Sequence, residues 1–467
     1  MDTMLTNAVG IINTVLWDYL LIYALLGMGL FFSFYLGLPQ ITKFGTALRT
    51  VFGGLFQKNR PSEKNGQSLS QFQALAVAVS AQIGTGNVAG VATAITAGGP
   101  GAVFWMWLSA LLGMGTIFSE AVLAQKYRVN VNGKYVGGPA FYITYGLSGK
   151  IGGKPARILA GVFAVAIILA LGFIGNATQS NSIASAATVA FAVEPLWVGL
   201  AVAALAGLII VGGINRIAAV TQFVVPFMAV LYILCAVIIL WQFSEQIIPT
   251  LEHIFIAAFN PAALGGGLAG IGMKEAVRFG VARGLFSNEA GMGSTPHAHA
   301  AADVKHPVQQ GMAAFIGVFI DTILVCTATA LIILLTKADS LGLQGAAVTQ
   351  EAFNIAFGTT GQKLLAVCLT FFAFTTIIGW YYFGESNIRY LFKGRYLGVY
   401  RLMVLTAIVL GTLGKVDFVW SLSDMFNGFM VIPNLIALFL LRREVREIFD
   451  DYLKQKKSGR PLSYPYQ

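Results

Sequence analysis

The stretch SAQIGTGNVAG, residues 80–90, interrupts an otherwise apolar run that extends from residue 70 to residue 98. Seven of its eleven residues are glycine or polar. Each glycine costs about 1 kcal/mol of helix propensity relative to alanine, and Ser, Thr and Asn side chains compete for backbone hydrogen bonds. The stretch therefore predicts a helix that unwinds near its midpoint.

The composition of the chain indicates that this helix lies in a membrane. Of 467 residues, 57% are hydrophobic and 11% are charged, and the mean hydropathy is +0.74. An ordinary soluble domain carries about 25% charged residues. So few charges do not cover the surface of a soluble chain of this length, which excludes a soluble enzyme, a disordered chain and a coiled coil. The composition indicates a polytopic helical membrane protein.

An unwound segment at membrane depth is tolerated only where it is buried in protein or lines a cavity. In secondary transporters such breaks direct a helix N-terminus at a substrate carboxylate and freed carbonyls at a cation. The alternative is a packing seam, because Gly86 and Gly90 have the spacing of small residues at helix contacts. That spacing does not explain the neighbouring Gln82, Thr85 and Asn87. The break is therefore interpreted as a binding site.

The remaining chain supplies further apolar segments of about the 20 residues that a membrane helix needs. Together with 70–98 they make ten spans, at 19–40, 70–98, 101–125, 158–190, 195–214, 217–241, 308–336, 361–390, 397–414 and 417–441. An eleventh segment, 262–300, is rich in Gly and Ala and carries Lys274, Glu275, Arg278, Arg283 and Glu289.

The lysines and arginines test this layout, because cytoplasmic loops collect positive charge. With the N-terminus outside, 24 of the 30 fall in inside segments, three in outside segments and three within the eleventh segment. The bias holds only if 262–300 crosses the membrane. The net charge of +10 is thus a signal of orientation, and no nucleic-acid partner is expected. The first helix lacks a basic start and a cleavage site, so we expect it to be retained.

The eleventh segment contains a second interruption, FSNEAGMGS, at residues 286–294. Five spans run from the first broken helix to residue 241, and five more begin with this second one. Two groups of five, each opening with a glycine-interrupted helix, indicate an inverted repeat with its site at the midplane. The predicted organisation is an N-terminal helix with an amphipathic cytoplasmic linker, two repeats and a cytoplasmic tail. These units span 1–69, 70–242, 243–442 and 443–467.

Three strings resemble the alanine or glycine:cation symporter family. They are QIGTGNVAGVATAITAGGPGAVFWMW at 82–107, GLFSNEAGMGSTPHAHAAA at 284–302 and FAFTTIIGWYYFGE at 372–385. The likeness extends over about residues 70–440. It implies a LeuT-type fold: an all-α polytopic membrane protein of about eleven transmembrane helices, with five plus five in inverted repeat and one extra N-terminal helix. The first break also resembles that of neurotransmitter:sodium symporters.

The resemblance implies a substrate site between the two breaks. Backbone N–H groups near Thr85 and Gly86 would hold an amino acid carboxylate, Gln179 would hydrogen-bond the substrate, and Phe286 with Trp380 would wall the pocket. The full set of implied substrate residues is Gly84, Thr85, Gly86, Asn87, Gln179, Phe286, Ser287 and Trp380. Two alternatives stay open: the amides near residue 179 could join helices, and a lone membrane Trp could simply pack.

The same resemblance implies a sodium ion as the co-transported ligand. The carbonyls of Ser80 and Ile83 would face the ion, and the hydroxyls of Thr375 and Thr376 would complete its oxygen ligands. The alternative for the two threonines is a hydrogen bond to their own helix.

Charged residues within the spans are functional candidates by default. Asp321 could accept a proton, bind a second ion or pair with an arginine of the eleventh segment. Pairing is expected for Glu385 with Arg389, for Glu120 with Lys126 or Arg128, and for Glu289 with Arg283. We expect Cys235, Cys326 and Cys368 to pack in the core, and the spacing of His297, His299 and His306 does not suit a metal site.

The function expected is a sodium-coupled symporter that imports a small neutral amino acid, alanine or glycine, by alternating access. We place it in the plasma membrane, in bacteria the inner membrane, with the N-terminus outside, the C-terminus cytoplasmic and no obligate protein partner. The alternatives are proton coupling on the same scaffold and a larger substrate such as glutamine. No nucleophile with a nearby base and no repeated pore motif is found in the spans, so an enzyme and a channel are not expected.

Overall fold

The computed structural model describes residues 2–53, 68–131, 133–259, 272–414 and 416–466. The helices are α1 (Met4–Tyr35), α2 (Pro39–Thr42), α3 (Phe44–Phe52), α4 (Gln71–Gln82), α5 (Ala89–Gly98), α6 (Ala102–Lys126), α7 (Pro139–Ile151), α8 (Gly153–Phe191), α9 (Pro195–Ile210), α10 (Gly213–Gln242), α11 (Ile247–Phe259), α12 (Met273–Asn288), α13 (Pro296–Ala300), α14 (Pro307–Leu335), α15 (Ala346–Phe357), α16 (Thr359–Phe392), α17 (Leu397–Leu413) and α18 (Val416–Lys457). Strands β1 (Val129–Val131) and β2 (Lys134–Val136) form an antiparallel hairpin.

All ten apolar spans predicted from the sequence coincide with helices. Within the described ranges, seven helices are long and apolar enough to cross a membrane, and α4 with α5 makes an eighth as a bent pair. Two shorter apolar helices, α9 and α17, account for the other two spans. The first helix begins well before the expected residue 19, and α18 continues through most of the expected tail. Part of the amphipathic linker is helical as α3, whereas residues 54–67 lie outside the described residues.

The first predicted break is confirmed. Helix α4 ends at Gln82, a single 3-10 turn covers Thr85–Asn87, and α5 begins at Ala89. The two halves differ in direction by 56°. Every residue from 74 to 92 is buried, so the irregular backbone lies inside protein, as the cost of exposing it to lipid requires.

The second predicted break follows α12. Glu289 and the glycines Gly291 and Gly293 have positive φ angles of 59°, 87° and 80°, and helix resumes at α13. Glycine adopts such angles without steric cost. At Gly293 a Cβ would also lie 2.8 Å from Phe163, so both the angle and the space require glycine.

The two broken helices lie together at the centre of the bundle. Helix α12 packs against α5 and α6, while α4 packs against α10, α14 and α16. The breaks therefore lie where residues from both groups of five helices can reach them. The limits of the two repeats stay a prediction.

Basic residues that the sequence assigned to one side of the membrane contact the C-terminal part of α18, here called the basic end of the bundle. Glu444 accepts ion pairs from Lys126 at 2.7 Å and from Lys150 at 3.2 Å. Nearby, His306 lies 3.2 Å from Asp451. Burial lowers the pKa of His306, so near neutral pH this contact is a hydrogen bond between a neutral imidazole and a carboxylate.

The C-terminal segment covers the same end. The guanidinium of Arg128 lies between the rings of Tyr135 and Tyr466, at 4.3 and 4.2 Å from their centroids. Arg128 also donates a hydrogen bond to the carbonyl of Ala302, and the Tyr466 hydroxyl donates to the carbonyl of Val304 at 3.0 Å. The segment that follows the second break is thus tied to the hairpin and to the tail.

A close helix contact gives a stability prediction. A Cβ at Gly411 of α17 would lie 2.5 Å from the Cα atom of Ala177 in α8, whereas one at Gly398 of the same helix would meet nothing within 4 Å. We expect Gly411→Ala to destabilise the fold by about 1–3 kcal/mol through overpacking. Gly398→Ala is the matched control and gains up to about 1 kcal/mol of helix propensity. Thermal unfolding in detergent measures both, and equal midpoints would contradict the packing described.

Candidate functional site

Three oxygen atoms converge where α4 ends. The Thr376 hydroxyl oxygen of α16 lies 3.0 Å from the carbonyl oxygen of Ser80, 3.3 Å from that of Ile83 and 3.0 Å from that of Phe372 in its own helix. Its single proton is donated to one of these three acceptors. Because the helix stops at Gln82, the Ser80 carbonyl is no longer paired with the amide of Gly84, which donates to Asn87 instead. The structure thus gathers neutral oxygens of the kind that a hard cation binds.

The two threonines that the sequence could not separate have different surroundings. Thr375 donates to the Phe372 carbonyl at 3.0 Å and lies 3.5 Å from the Sδ atom of Met228 in α10. Adjacent residues on a helix do not share a face. The structure therefore brings Thr376 together with Ser80 and Ile83, and it leaves Thr375 outside that group.

The first break is held by side-chain amides. The side-chain oxygen Oδ1 of Asn87 accepts a hydrogen bond from the backbone N–H of Gly84 at 2.8 Å. The side-chain oxygen Oε1 of Gln179 accepts one from the backbone N–H of Thr85 at 3.1 Å. The Thr85 hydroxyl is buried without a hydrogen-bond partner among the described residues. A buried polar atom of this kind needs a partner, so a polar group of a ligand would fit beside Thr85.

Gln179 is distinct from the amides next to it. Asn181 donates to the carbonyls of Gly411 and Gly414 at 2.8 and 3.0 Å, and Asn176 donates within its own helix. Those two side chains support helix structure, as the alternative interpretation of the amide-rich patch proposed. Gln179 is the member of the patch that reaches the break.

The glycines of the first break allow close approach. A Cβ at Gly84 would lie 2.5 Å from the Thr376 hydroxyl oxygen. A Cβ at Gly86 would lie 3.2 Å from the Cα atom of Ser287 and 3.4 Å from the ring of Phe286. The two breaks are therefore in contact, and any side chain at Gly84 would displace Thr376 from the carbonyls.

Asp321 of α14 joins both breaks. Its carboxylate accepts from the Asn87 amide at 2.6 Å, from the Ser287 hydroxyl at 3.1 Å and from the Thr322 hydroxyl at 2.7 Å. Cys326 lies beside the same groups, at 3.3 Å from Asn87. The sequence identified Asp321 as a candidate, but spacing along the chain could not show that it bridges the two broken helices.

Several ion pairs predicted from the sequence are wrong, because their members have other partners in the structure. The arginines of α12 do not reach Asp321 or Glu289, because Arg283 pairs with Asp424 of α18 at 2.9 Å and Arg278 pairs with Asp18 at 2.5 Å. The expected pair between Glu385 and Arg389 is present at 2.7 Å.

Glu120 also has partners that the sequence did not indicate. Instead of pairing with Lys126 or Arg128, its carboxylate accepts from the amides of Gly291 at 3.2 Å and Gly293 at 3.0 Å. Asn434 of α18 donates to the same carboxylate at 2.5 Å. The side chain of Glu120 thus binds the backbone of the second break.

An aromatic wall lies beside the two breaks. The ring of Phe286 meets Trp380 edge-on at 6.5 Å between centroids and Trp420 at 5.4 Å. A cavity of about 750 Å³ is lined by Trp420 and by the Arg283–Asp424 pair. Trp420, which the sequence did not single out, both lines this cavity and contacts Phe286.

The cysteines and histidines lie in packed surroundings. Cys235, Cys326 and Cys368 are buried. His297 contacts the Ser294 carbonyl at 2.6 Å and the Asn387 side chain at 2.8 Å, and His299 contacts Gln310 at 2.7 Å.

Two interrupted helices that meet at a buried polar site, within a bundle of apolar helices, define a secondary transporter. The chain belongs to the sodium:alanine symporter family, whose profile matches residues 1–464.

Similar proteins of known sequence extend over almost the whole chain. A probable sodium/glutamine symporter of Bacillus subtilis, GlnT, is 42% identical and is matched over 99% of this chain and 94% of its own length. The sodium/alanine symporter AgcS of Methanococcus maripaludis is 41% identical over 93% of this chain and 94% of its own. The amino-acid carrier protein AlsT of Bacillus subtilis is 40% identical over 98% and 94%.

Solved structures support the predicted fold. MhsT in complex with L-phenylalanine aligns with a TM-score of 0.55 at 14% identity, covering 80% of this chain and 89% of that chain. A manganese transporter of Eremococcus coleocola aligns with a TM-score of 0.52 at 13% identity, covering 82% and 81%. At such identities the likeness concerns the fold alone, and it is the LeuT-type fold.

The two neighbouring threonines give a matched pair of variants. We expect Thr376→Ala to raise the sodium concentration for half-maximal transport at least about tenfold, since the loss of one oxygen ligand is expected to cost on the order of 1.4 kcal/mol. Thr375→Ala, which removes a hydroxyl outside the oxygen group, should change it less than about twofold. Initial uptake rates at graded sodium concentrations measure both, and the reverse order would place the ion elsewhere.

Proposed function

We propose that this protein couples sodium entry to the uptake of a small neutral amino acid, alanine or glycine, by alternating access. The observation that carries the proposal is the contact of the Thr376 hydroxyl with the carbonyls of Ser80 and Ile83. Close by in the chain lies the buried hydroxyl of Thr85, which has no hydrogen-bond partner in the part of the chain that the structure describes. A cation ligand set and a free polar group for a substrate thus share one short unwound segment.

The shared segment supplies a physical basis for coupling. Sodium would be held by the carbonyls of Ser80 and Ile83 and by the hydroxyl of Thr376, while Thr375 lies outside this group. The substrate carboxylate would meet the backbone at Gly84, Thr85 and Gly86. Each ligand would order the backbone that the other binds, so the binding of one favours the binding of the other by the same factor in both directions.

The wall supports a small substrate. Phe286 and Ser287 lie beside Gly86 of the first break, Gln179 lies beside Gly84, and Trp380 packs edge-on against Phe286. One relative is named for glutamine and another for alanine at nearly equal identity. The names of the relatives therefore leave the substrate open, and the closely packed wall favours alanine or glycine.

Proton coupling is the second candidate, and Asp321 is the observation that favours it. Its buried carboxylate is held by neutral donors from both broken helices, so its protonation would alter the contact between them. A putative sodium/proton-dependent alanine carrier of Bacillus subtilis, YrbD, is 41% identical to this chain. On this alternative, a proton at Asp321 would replace or accompany sodium.

Uptake into proteoliposomes that contain only the purified chain tests the function. We expect an imposed sodium gradient at equal internal and external pH to drive accumulation of labelled alanine. Unlabelled glycine should compete within about tenfold of alanine, and glutamine should compete more weakly. Activity of the purified chain alone would also support transport without a protein partner.

Three results would contradict the proposal. Accumulation driven by a proton gradient but not by sodium would favour Asp321 as the carrier. Glutamine competing better than alanine would overturn the substrate assignment. Saturable uptake that equilibrates without accumulation under either gradient would exclude a symporter.

We also propose that the basic end of the bundle faces the cytoplasm of a bacterial cell and that the 750 Å³ cavity opens outward. The charge bias supports this orientation. Leu341, in the loop beside the cavity, is 53% exposed, and Ser458 lies in the exposed tail.

A pair of cysteine variants tests the orientation. We expect Leu341→Cys to react with a membrane-impermeant maleimide added to intact cells. Ser458→Cys should react only after the cells are permeabilised. The unsubstituted chain, whose cysteines are buried, is the control. The opposite labelling pattern would invert the assignment.

A further inference from the structure

Glu289 lies where α12 ends, and its side chain is turned into the bundle. Its backbone is left-handed, its amide donates to the Leu285 carbonyl at 2.9 Å, and it thereby closes the helix. The side chain is 1% exposed. A buried carboxylate at this depth requires partners, and intramembrane carboxylates are functional candidates.

Both oxygens of this carboxylate are occupied by neutral donors. The indole N–H of Trp380 donates to one oxygen at 2.5 Å, and the Ser294 hydroxyl donates to the other at 2.5 Å. Among the described residues no ion pair includes Glu289, and the nearest arginine of its own helix, Arg283, pairs with Asp424. The carboxylate therefore fastens an aromatic side chain of the pocket wall to the second break.

The indole of Trp380 is confined on its other sides as well. A Cβ at Gly175 would lie 2.7 Å from the six-membered ring of the indole, so the indole packs directly against the backbone of α8 at this glycine. The ring of Phe286 stands perpendicular to it. A buried indole N–H needs an acceptor, and a rotated indole would lose the one that Glu289 supplies.

The position of this wall decides how much room a substrate has. Phe286 lies 3.4 Å from where a Cβ at Gly86 would be, and it packs against Trp380. A ligand whose carboxylate is held at the first break would therefore lie beside the Phe286 ring, whose position Trp380 supports.

We propose that Glu289 is a positioning residue that sets the size limit of the substrate by holding Trp380 in place. It acts through the indole and does not itself bind the substrate. This inference deepens the proposed function and rests on it, since it concerns the wall of the same site.

The test compares the competition profile of Glu289 variants in sodium-driven alanine uptake, with glutamine as the larger competitor. In Glu289→Ala the indole loses its acceptor, and we expect the preference for alanine over glutamine to fall about tenfold. Glu289→Gln retains an amide oxygen for Trp380 and an amide N–H for Ser294, so it should recover most of the preference. Glu275→Ala, on the same helix but away from the wall, is the matched control.

Trp380→Phe provides a second route to the same result. Phenylalanine keeps an aromatic ring but has no N–H, so the preference should again fall. Because both substitutions remove the same hydrogen bond between Trp380 and Glu289, the double variant should lose no more preference than the more affected single variant. If Glu289→Ala fails to fold, the single variant Trp380→Phe still tests the inference.

The outcomes separate the inference from the function on which it rests. Absence of sodium-driven uptake in the unsubstituted chain would defeat both. Normal uptake with an unchanged preference for alanine over glutamine in Glu289→Ala would overturn the inference but not the proposed function. If only Trp380→Phe folds, an unchanged preference in that variant would do the same. If Glu289→Gln behaved like Glu289→Ala, the negative charge and not the hydrogen bond would matter, and the positioning role would be wrong.

Discussion

The structure depends on one constraint: backbone amides and carbonyls that leave a helix inside a membrane must find partners within the protein. Two segments near the centre of the bundle leave their helices. The first is satisfied by Asn87 within the segment and by Gln179 from α8. The second is satisfied by the carboxylate of Glu120 from α6. The surrounding helices are arranged so that these side chains reach the breaks, and polar residues therefore concentrate there although the chain as a whole is poor in them.

The same constraint makes the site suitable for ligands. Partners that come from distant helices satisfy most of the freed groups and leave a few, such as the Ser80 carbonyl and the Thr85 hydroxyl, with capacity for a bound ion or molecule. Asp321 connects the two breaks through Asn87 and Ser287. A ligand that alters the first break therefore also acts on the second through short, direct contacts, and no long pathway through the bundle is needed.

The sequence predicted the spans and both breaks because hydropathy and glycine content are local properties. Partners at the site were harder to predict. Glu120 was assigned to basic residues close to it in the chain, whereas the amides it binds lie 171 and 173 positions away. Thr375 and Thr376 could not be separated, because α16 is buried on nearly all sides at their level and its apolar pattern does not fix its rotation. The resemblance to a known family supplied the residues of the site, while pairings across the fold required coordinates.

The glycine turn of the second break has a consequence for how such a protein can diversify. Gly291 and Gly293 have left-handed angles, and side chains of Leu25 and Phe163 occupy the space where their Cβ atoms would be. Wall residues such as Phe286 can be exchanged for others of different size, and the ligand preference can change with them. The turn behind the wall admits no such exchange, and an insertion or deletion there would displace the amides from Glu120. Selectivity is therefore open to gradual change, while the scaffold that presents it is fixed in length and in residue type.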